Sequence, residues 1–408
     1  MRRVVVTGMG AITSLGDSWA EVRANLRAGA SGVEHMAEWD RYPDILTRLG
    51  APVRNFQLPA RYSRKASRTM GRVAQMAVLA SDTALQDAGL IGDPLLRSGR
   101  AGVAYGSSTG STDAVRDFGA MLINGVAGNI NATTYIRMMS HTAAVNIGVY
   151  FGLTGRVIPT SSACTSGSQG IGYAFEAIKF GLQDVMVAGG AEELCASEAA
   201  VFDTLYATST RNDAPKSTPA PFDKFRDGLV IGEGACTLIL EERECARARG
   251  AHIYAEILGF GSNSDGDHVT RPNTQTMERV MRLALASAGL DPHAVQYVNA
   301  HGTATEAGDI AESQATFRLL GQKAPVSSLK GHFGHTLGAC GALESWAAIE
   351  MMRSGWIAPT LNLTQVDERC GDLDYIMSPG RELDIGIAMN NNFAFGGINT
   401  SLLLARVA

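Results

Sequence analysis

The chain repeats its own pattern, and this constrains its fold more than any other feature. Residues 3–13 read RVVVTGMGAIT and residues 253–264 read IYAEILGFGSNS, each a strand-like run closing on Gly-x-Gly. ALQDAGL (84–90) and ALASAGL (284–290) each finish an amphipathic helical stretch with a glycine stop. A strand follows in both places, GRAGVAYGSS (99–108) and VQYVNAHGT (295–303). SSACTSGSQGIGYAFEAI (161–178) is then matched by GHTLGACGALESWAAIEMM (334–352), and GEGACTLILEE (232–242) by GGINTSLLLAR (396–406). A shared order of events on both sides argues for duplication, with halves at residues 1–250 and 251–408.

Strands alternating with helices imply mainly parallel sheets with helices on their faces. The stretches after Ser162 and after His335 carry Ala, Gly and Ser around most of their circumference, and a helix without a polar face is buried. Each half is therefore expected to place one central helix between two sheets, giving an α/β fold in five layers, α-β-α-β-α. With 45% hydrophobic and 18% charged residues the chain can fill so large a core. It contains no run of about 18 apolar residues to cross a membrane, and MRRVVVTGMG reads as a first strand rather than a signal peptide. A net charge of −5 argues against a general nucleic-acid binder. The 6 cysteines show no CxxC spacing, so no metal site or redox pair is indicated, and reduced thiols in the cytoplasm are expected.

Four segments carry chemistry. In TSSACTSGSQG (160–170), Cys164 lies where a strand gives way to a helix. Backbone N–H groups there favour an anion, so a lowered thiol pKa is expected. In NAHGTATEAGD (299–309), His301 stands at the carboxyl end of a strand, a common active-site position in α/β folds. SSLKGHFGHTLGACGALE (327–344) supplies Lys330 and His335, with His332 nearby as a decoy and Cys340 read as core, more than one turn into the helix. NNNFAFGGIN (390–399) reads as a tight turn whose N–H groups can donate to an oxyanion. A Cys/His pair alone suggests a thiol hydrolase. A second histidine on a doubled fold suggests carbon–carbon bond chemistry on a thioester instead.

SSACTSG, NAHGTAT and KGHFGHTLGA, together with VAGGAEE (187–193), STRND (209–213), PFDKFRDGLVIGEGA (221–235) and SDGDHVTRP (264–272), span almost the whole chain. In combination they resemble the β-ketoacyl-acyl-carrier-protein synthases, close to the synthase II type. The resemblance implies a thiolase-like fold and a 3-oxoacyl-ACP synthase. Such an enzyme condenses a Cys-bound acyl group with malonyl-ACP, losing CO2, in fatty-acid or specialised (polyketide, polyene or aryl polyene) biosynthesis. It implies Cys164 as nucleophile, with the backbone amides of Cys164 and Phe393 as oxyanion hole and Phe393 at the gate. His301 and His335 would hold the malonyl carbonyl, and Lys330 would orient that region. Asp309, Glu312 and Glu344 would support it from behind, and Thr303 and Thr305 would touch substrate. No metal or organic cofactor is implied. The partner would be an acyl carrier protein, and the assembly a homodimer or a heterodimer with a synthase-like subunit. Carrier proteins are acidic, so Arg64, Lys65 and Arg68 of RYSRKASR (61–68), with Arg211, are docking candidates.

The sequence departs from the family at the gate and in the acyl pocket. The family's gate reads N-S-F-G-F-G-G-T-N, whereas Ala394 here replaces a glycine and Ile398 a threonine. Asp265, His268, Thr270 and Pro272 keep the loop that cooperates with that gate. Thr109, Thr133 and Thr134 suggest a more polar acyl pocket, suited to an unsaturated, polyene or aryl-bearing group rather than a plain saturated chain. A thiolase would use a second cysteine where this chain offers a second histidine, and a non-catalytic chain-length-factor-like subunit would lack Cys164.

Overall fold

A computed structural model describes every residue except Asn129 and Ala408. In the first half five strands form the frame: β1 (Val4–Ile12), β2 (Ala101–Gly106), β3 (Val157–Thr160), β4 (Val185–Glu192) and β5 (Gly234–Glu242). Their counterparts are β6 (Ala255–Ser264), β7 (Tyr297–Asn299), β8 (Pro325–Ser327), β9 (Ile387–Ala394) and β10 (Ile398–Arg406). The spatial order is β3-β2-β4-β5-β1 followed by β6-β10-β9-β7-β8, so the second half repeats the first in reverse. The halves meet where Val4–Val6 of β1 pairs antiparallel with Ala255–Ile257 of β6.

The sheets are mixed rather than mainly parallel. β3, β2 and β4 run parallel, as do β8, β7 and β9, whereas β5 and β1, like β10 and β6, pair antiparallel. The reason is plain at β9 and β10: residues 395–397 are the whole connection, and so short a link permits only a hairpin.

Five helices complete the layers: α1 (Arg72–Asp87), α2 (Ser166–Lys179), α3 (Thr274–Ala288), α4 (Glu306–Leu320) and α5 (Cys340–Ser354). α2 and α5 pack on each other between the two half-sheets. α2 meets β2 and β4 on one side and β6 and β10 on the other, while α5 meets β4 and β5 and also β9 and β10. α1 covers the outer face of the first half, and α3, with α4 against it, that of the second. Every residue of α5 from Cys340 to Met352 is buried, as a helix with no polar face requires.

The repeated Gly-x-Gly lies inside the strands rather than at their ends. A Cβ on Gly8 or Gly10 would stand 2.2 Å from the carbonyl oxygen of Ala84 or Ala80 on α1. On Gly259 or Gly261 it would stand 2.4 Å from that of Ala284 or Val280 on α3. The outer helices thus rest on bare strand backbone, which explains why Ala recurs opposite each glycine. The turns before α2 and α5 are also twins. Each begins with a non-glycine residue at positive φ, Ala163 (50°) and Leu337 (44°), and makes a short 3₁₀ turn, Ala163–Thr165 and Leu337–Ala339. These two turns touch at the seam between the halves, and Cys164 sits in one of them. Among the described residues no helix is long and apolar enough to cross a membrane.

Candidate active site

Cys164 Sγ lies 2.9 Å from His335 Nε2. The backbone N–H groups of Cys164 and of Phe395 both point at the sulfur. His335 is held by its own backbone, which donates to Val230 O at 2.7 Å and accepts from Gly232 N at 2.8 Å. The His301 ring follows β7 and meets the His335 ring edge-on, at 5.1 Å between centroids and 86° between planes. Sγ and one ring nitrogen of each histidine all lie within 4.8 Å of one another.

Behind the rings is a buried ionic group. Lys330, 1% exposed, begins a short helix (Lys330–Phe333) after β8. Its Nζ lies 2.5 Å from Glu344 Oε1, 2.5 Å from the His301 carbonyl and 3.3 Å from His301 Nδ1. An ammonium group only donates, so Nδ1 keeps its lone pair and the His301 proton sits on Nε2, away from Lys330. Burial, the largest influence, would lower the Lys330 pKa, but Glu344 together with Cys340 and Glu312 outweighs it and the pKa is raised. Burial raises that of Glu344, against the pull of Lys330. Burial, followed by the Lys330 charge, holds both His301 and His335 well below the usual imidazole range. Both rings are therefore neutral near pH 7.

The carboxylates of α4 shape the His301 turn. Glu312 accepts the N–H groups of His301 and Gly302, both at 2.7 Å, and burial pushes its pKa up to about 8. Asp309 accepts from Phe222 N at 2.7 Å and Ala304 N at 3.1 Å and faces Arg226 at 3.3 Å, with its pKa pushed by burial up to about 6. Thr303 and Thr305, hydroxyls 2.9 Å apart, line a cavity of about 440 Å³ with Cys164, His301, His335 and Phe395. Asp265, Thr270 and Pro272 line it too, and His268 Nδ1 accepts the N–H groups of Thr270 and Arg271 at 3.1 Å, shaping that loop.

Several expectations are corrected. Burial pushes the Cys164 thiol up to about 12 instead of lowering it, because desolvation of the sulfur outweighs the nearby Lys330 charge and the two backbone donors. The residue whose N–H faces that sulfur is Phe395, not Phe393. Phe393 stands in β9 paired with Asn399 and turns its ring toward His301, 6.1 Å away. Phe395 lies in the turn and packs on Phe202 at 5.2 Å. Ala394 and Ile398 form the last pair of that hairpin. Cys340 is the first residue of α5, not a deeper one, and its thiol donates to the Cys164 carbonyl at 3.1 Å.

Thr109, Thr133 and Thr134 do not line the cavity. Thr133 donates to Asn131 Oδ1 at 2.6 Å and Thr134 accepts Asn131 N–H at 3.3 Å, capping the helix Ala132–Met138. The carbonyl of Thr109 accepts the Ser107 hydroxyl. Arg64, Lys65 and Arg68 are exposed. Arg211 is tied down, 3.4 Å from Asp227 and 3.3 Å from the Ser217 carbonyl, so it holds its own loop.

Two site residues were not foreseen. Asn392 Nδ2 donates to Glu344 Oε2 at 2.7 Å and lies 3.4 Å from His301 Nδ1. Three successive asparagines in an otherwise apolar strand, all fully buried, were the signal, since buried amides need partners. Glu192, at the end of β4, binds the turn beside Cys164 through Ser107 Oγ (3.0 Å), Ser108 N (2.8 Å) and Gly338 N (3.0 Å).

Residues 1–246 match the pattern of the family described as Beta-ketoacyl synthase, N-terminal domain, and residues 254–364 that of Beta-ketoacyl synthase, C-terminal domain. The 3-oxoacyl-[acyl-carrier-protein] synthase 2 of Coxiella burnetii is 37% identical over 100% of this chain and 99% of its own. A crystal structure of a β-ketoacyl synthase from Burkholderia phymatum STM815 matches at a TM-score of 0.99 and 58% identity, covering 100% of both chains. A type II PKS acyl-carrier protein in complex with its ketosynthase bound to the hexaketide (AntDE:AntF) matches at 0.88 and 32%, again covering 100% of both chains. The chain belongs to the β-ketoacyl synthase family, with the thiolase-like fold. It is an acyltransferase, and its reaction is the decarboxylative condensation that lengthens an acyl thioester by two carbons to a 3-oxoacyl thioester, in fatty-acid or specialised biosynthesis.

Proposed function

We propose that Cys164 carries the growing acyl group and that an acyl carrier protein delivers both acyl and malonyl substrates. We place the enzyme in the cytoplasm, as a homodimer or paired with a related subunit, with residues 1–250 and 251–408 as its duplicated halves. Arg64, Lys65 and Arg68 are the exposed cations for the carrier. The observation that carries the reading is one thiol 2.9 Å from a neutral imidazole, with a second neutral imidazole beside it and two backbone donors aimed at the sulfur.

In the first step the Cys164 sulfur attacks the acyl thioester carbonyl. The N–H groups of Cys164 and Phe395 receive the developing oxyanion. The sulfhydryl proton ends on the departing carrier thiol. In the second step the malonyl carboxylate leaves as CO2, and its electron pair becomes the enolate of the remaining thioester. Nε2–H of His301, fixed by Lys330 behind Nδ1, donates to the enolate oxygen, and His335 Nε2–H does the same. Neutral donors stabilise this charge without protonating the carbanion, which an imidazolium would do. The carbanion attacks the acyl carbonyl, the bond to Cys164 breaks, and the strongly basic thiolate regains a proton from solvent.

Intact-mass analysis tests this. Acyl-carrier substrate should add one acyl group to the protein, and Cys164→Ala should abolish that adduct while malonyl decarboxylation persists in part. His301→Ala or His335→Ala should lower decarboxylation by about 10²–10³-fold, with acyl-adduct formation falling less. An adduct on another residue would overturn the assignment.

A further inference from the structure

The helix Ala196–Asp203 forms a wall beside the nucleophile. Its Ala196, Ala199 and Phe202 share an apolar cluster with Cys164, and Phe202 closes the cavity against Phe395 at 5.2 Å. Glu198 lies one turn before Phe202, on the same face of that helix, and is 8% exposed. Glu198 is not itself among the residues lining the cavity; it closes the capping box at the start of this helix. Its Oε2 accepts Cys195 N–H at 3.2 Å, whereas Oε1 is buried with no hydrogen-bond partner among the described residues. Buried polar atoms are seldom left in that state without a reason.

The neighbouring carboxyl shows which form Glu198 takes. Burial pushes the Glu192 pKa up to about 7, but its three donors, Ser107 Oγ, Ser108 N and Gly338 N, favour its anion, so of the two carboxyls it is the one that ionises first. Glu198 has one donor, and burial together with the Glu192 charge raises its pKa well above the usual carboxyl range. Glu198 therefore keeps its proton. Because Cys195 N–H occupies Oε2, the hydroxyl is Oε1, an O–H donor that lacks an acceptor.

We propose that Glu198 reads an oxygen atom on the acyl group: the substrate carries a hydroxyl or carbonyl along its chain, which accepts the Oε1 proton once the chain passes the Phe202–Phe395 pair. This deepens the reading of Cys164 as the acyl-bearing residue and rests on it. A plain saturated chain would leave the donor unmade and the carboxyl desolvated, which is how a site built to hydrogen-bond a substrate group rejects the analogue lacking it. The apolar helix neighbours still accept hydrocarbon, so discrimination falls on this one polar position.

The test measures capture of acyl groups on Cys164 by intact mass, using decanoyl-carrier protein and a series of hydroxydecanoyl-carrier proteins with the hydroxyl moved along the chain. Wild type should capture at least one hydroxylated chain about tenfold or more faster than decanoyl. Glu198→Leu should erase that preference and keep or raise the decanoyl rate, and Glu198→Gln, whose amide still donates, should retain it. Equal wild-type rates for decanoyl and every hydroxylated chain would overturn the proposal, as would a preference unchanged in Glu198→Leu. If Glu198→Leu does not fold, the wild-type ratio and Glu198→Gln decide. Capture without an oxygen preference defeats this inference alone, whereas no capture on Cys164 at all defeats the nucleophile assignment and the inference with it.

Discussion

The Cys164 sulfur rests as a protonated thiol rather than as an anion. With burial pushing the thiol up to about 12, its ionised fraction grows about tenfold for each pH unit across the neutral range. Only the thiolate alkylates, so iodoacetamide labelling of Cys164 should accelerate about tenfold per unit from pH 7 to pH 9 without levelling. Mass-resolved labelling rates would show it, and a plateau below pH 8 would mean that the helix start does hold the anion. Asn392 acts at the same scale. It stands where the family pattern has serine, and its amide ties Glu344 to the side of His301 that faces Lys330. Asn392→Asp would set a second carboxylate against Glu344 and leave one of the pair protonated or repelled. We expect malonyl decarboxylation to fall about tenfold or more with acyl capture retained, and the loss to lessen as pH drops and the carboxyl pair takes up a proton. A defect independent of pH would point to misfolding instead.

At the level of elements, a helix end offers a direct test of backbone strain. The helix Ala196–Asp203 closes with Tyr206 N–H on the Asp203 carbonyl (2.9 Å) and Ala207 N–H on that of Phe202 (3.0 Å). Tyr206 sits at φ 53°, where glycine is favoured, and its side chain is 84% exposed. Relief of the left-handed cost, about 1–2 kcal/mol, exceeds the entropy that glycine adds to the unfolded chain, about 0.4–1 kcal/mol. Tyr206→Gly should therefore raise the melting temperature slightly and Tyr206→Val lower it, and a drop for glycine would show that the ring makes stabilising contacts. The same scale explains what the sequence made legible. Small-residue stretches marked both central helices, and strand ends located Cys164 and His301, because burial and active-site position follow from residue type and periodicity. Which phenylalanine turns its N–H toward the Cys164 sulfur was not legible. Phe393 and Phe395 flank Ala394 two residues apart, so they share a face in any strand. What separates them is where the hairpin ends, at the Ala394–Ile398 pair, and turn placement is set by pairing across the sheet. The Gly-x-Gly repeats were visible, but their role depends on helices about 75 and 25 residues downstream in the chain.

For the whole molecule, the site is built across the seam between the two mirrored halves of the sheet: the first supplies the thiol and the second both imidazoles, so assembly must bury ionisable groups from each. Folding raises the pKa values of Glu192 to about 7, Asp309 to about 6 and Glu312 to about 8, chiefly by desolvation. It lowers those of His301, His332 and His335 for the same reason. Unfolded carboxyls titrate near ~4 and imidazoles near ~6.5. Between about pH 5 and 6.5 the folded state holds extra protons on the carboxyls while the unfolded state holds extra protons on the histidines, and the two effects largely cancel. Above 6.5 the histidines are neutral in both states. The folded protein alone then retains protons on Glu192, Glu198 and Glu312, so stability declines as pH rises through their folded values, by up to ~1.4 kcal/mol per pH unit for each group. Thermal unfolding should accordingly give a nearly flat melting temperature from pH 5 to 6.5 and a fall from 6.5 upward, which the raised thiol of Cys164 extends beyond pH 8. Glu312→Gln, which keeps the shape and removes the titration, should shallow that fall. A melting temperature that instead climbs from pH 6.5 to 8.5 would mean that the carboxylates behind His301 are stabilised as anions by their backbone donors and that Glu312 enters the folded state already charged.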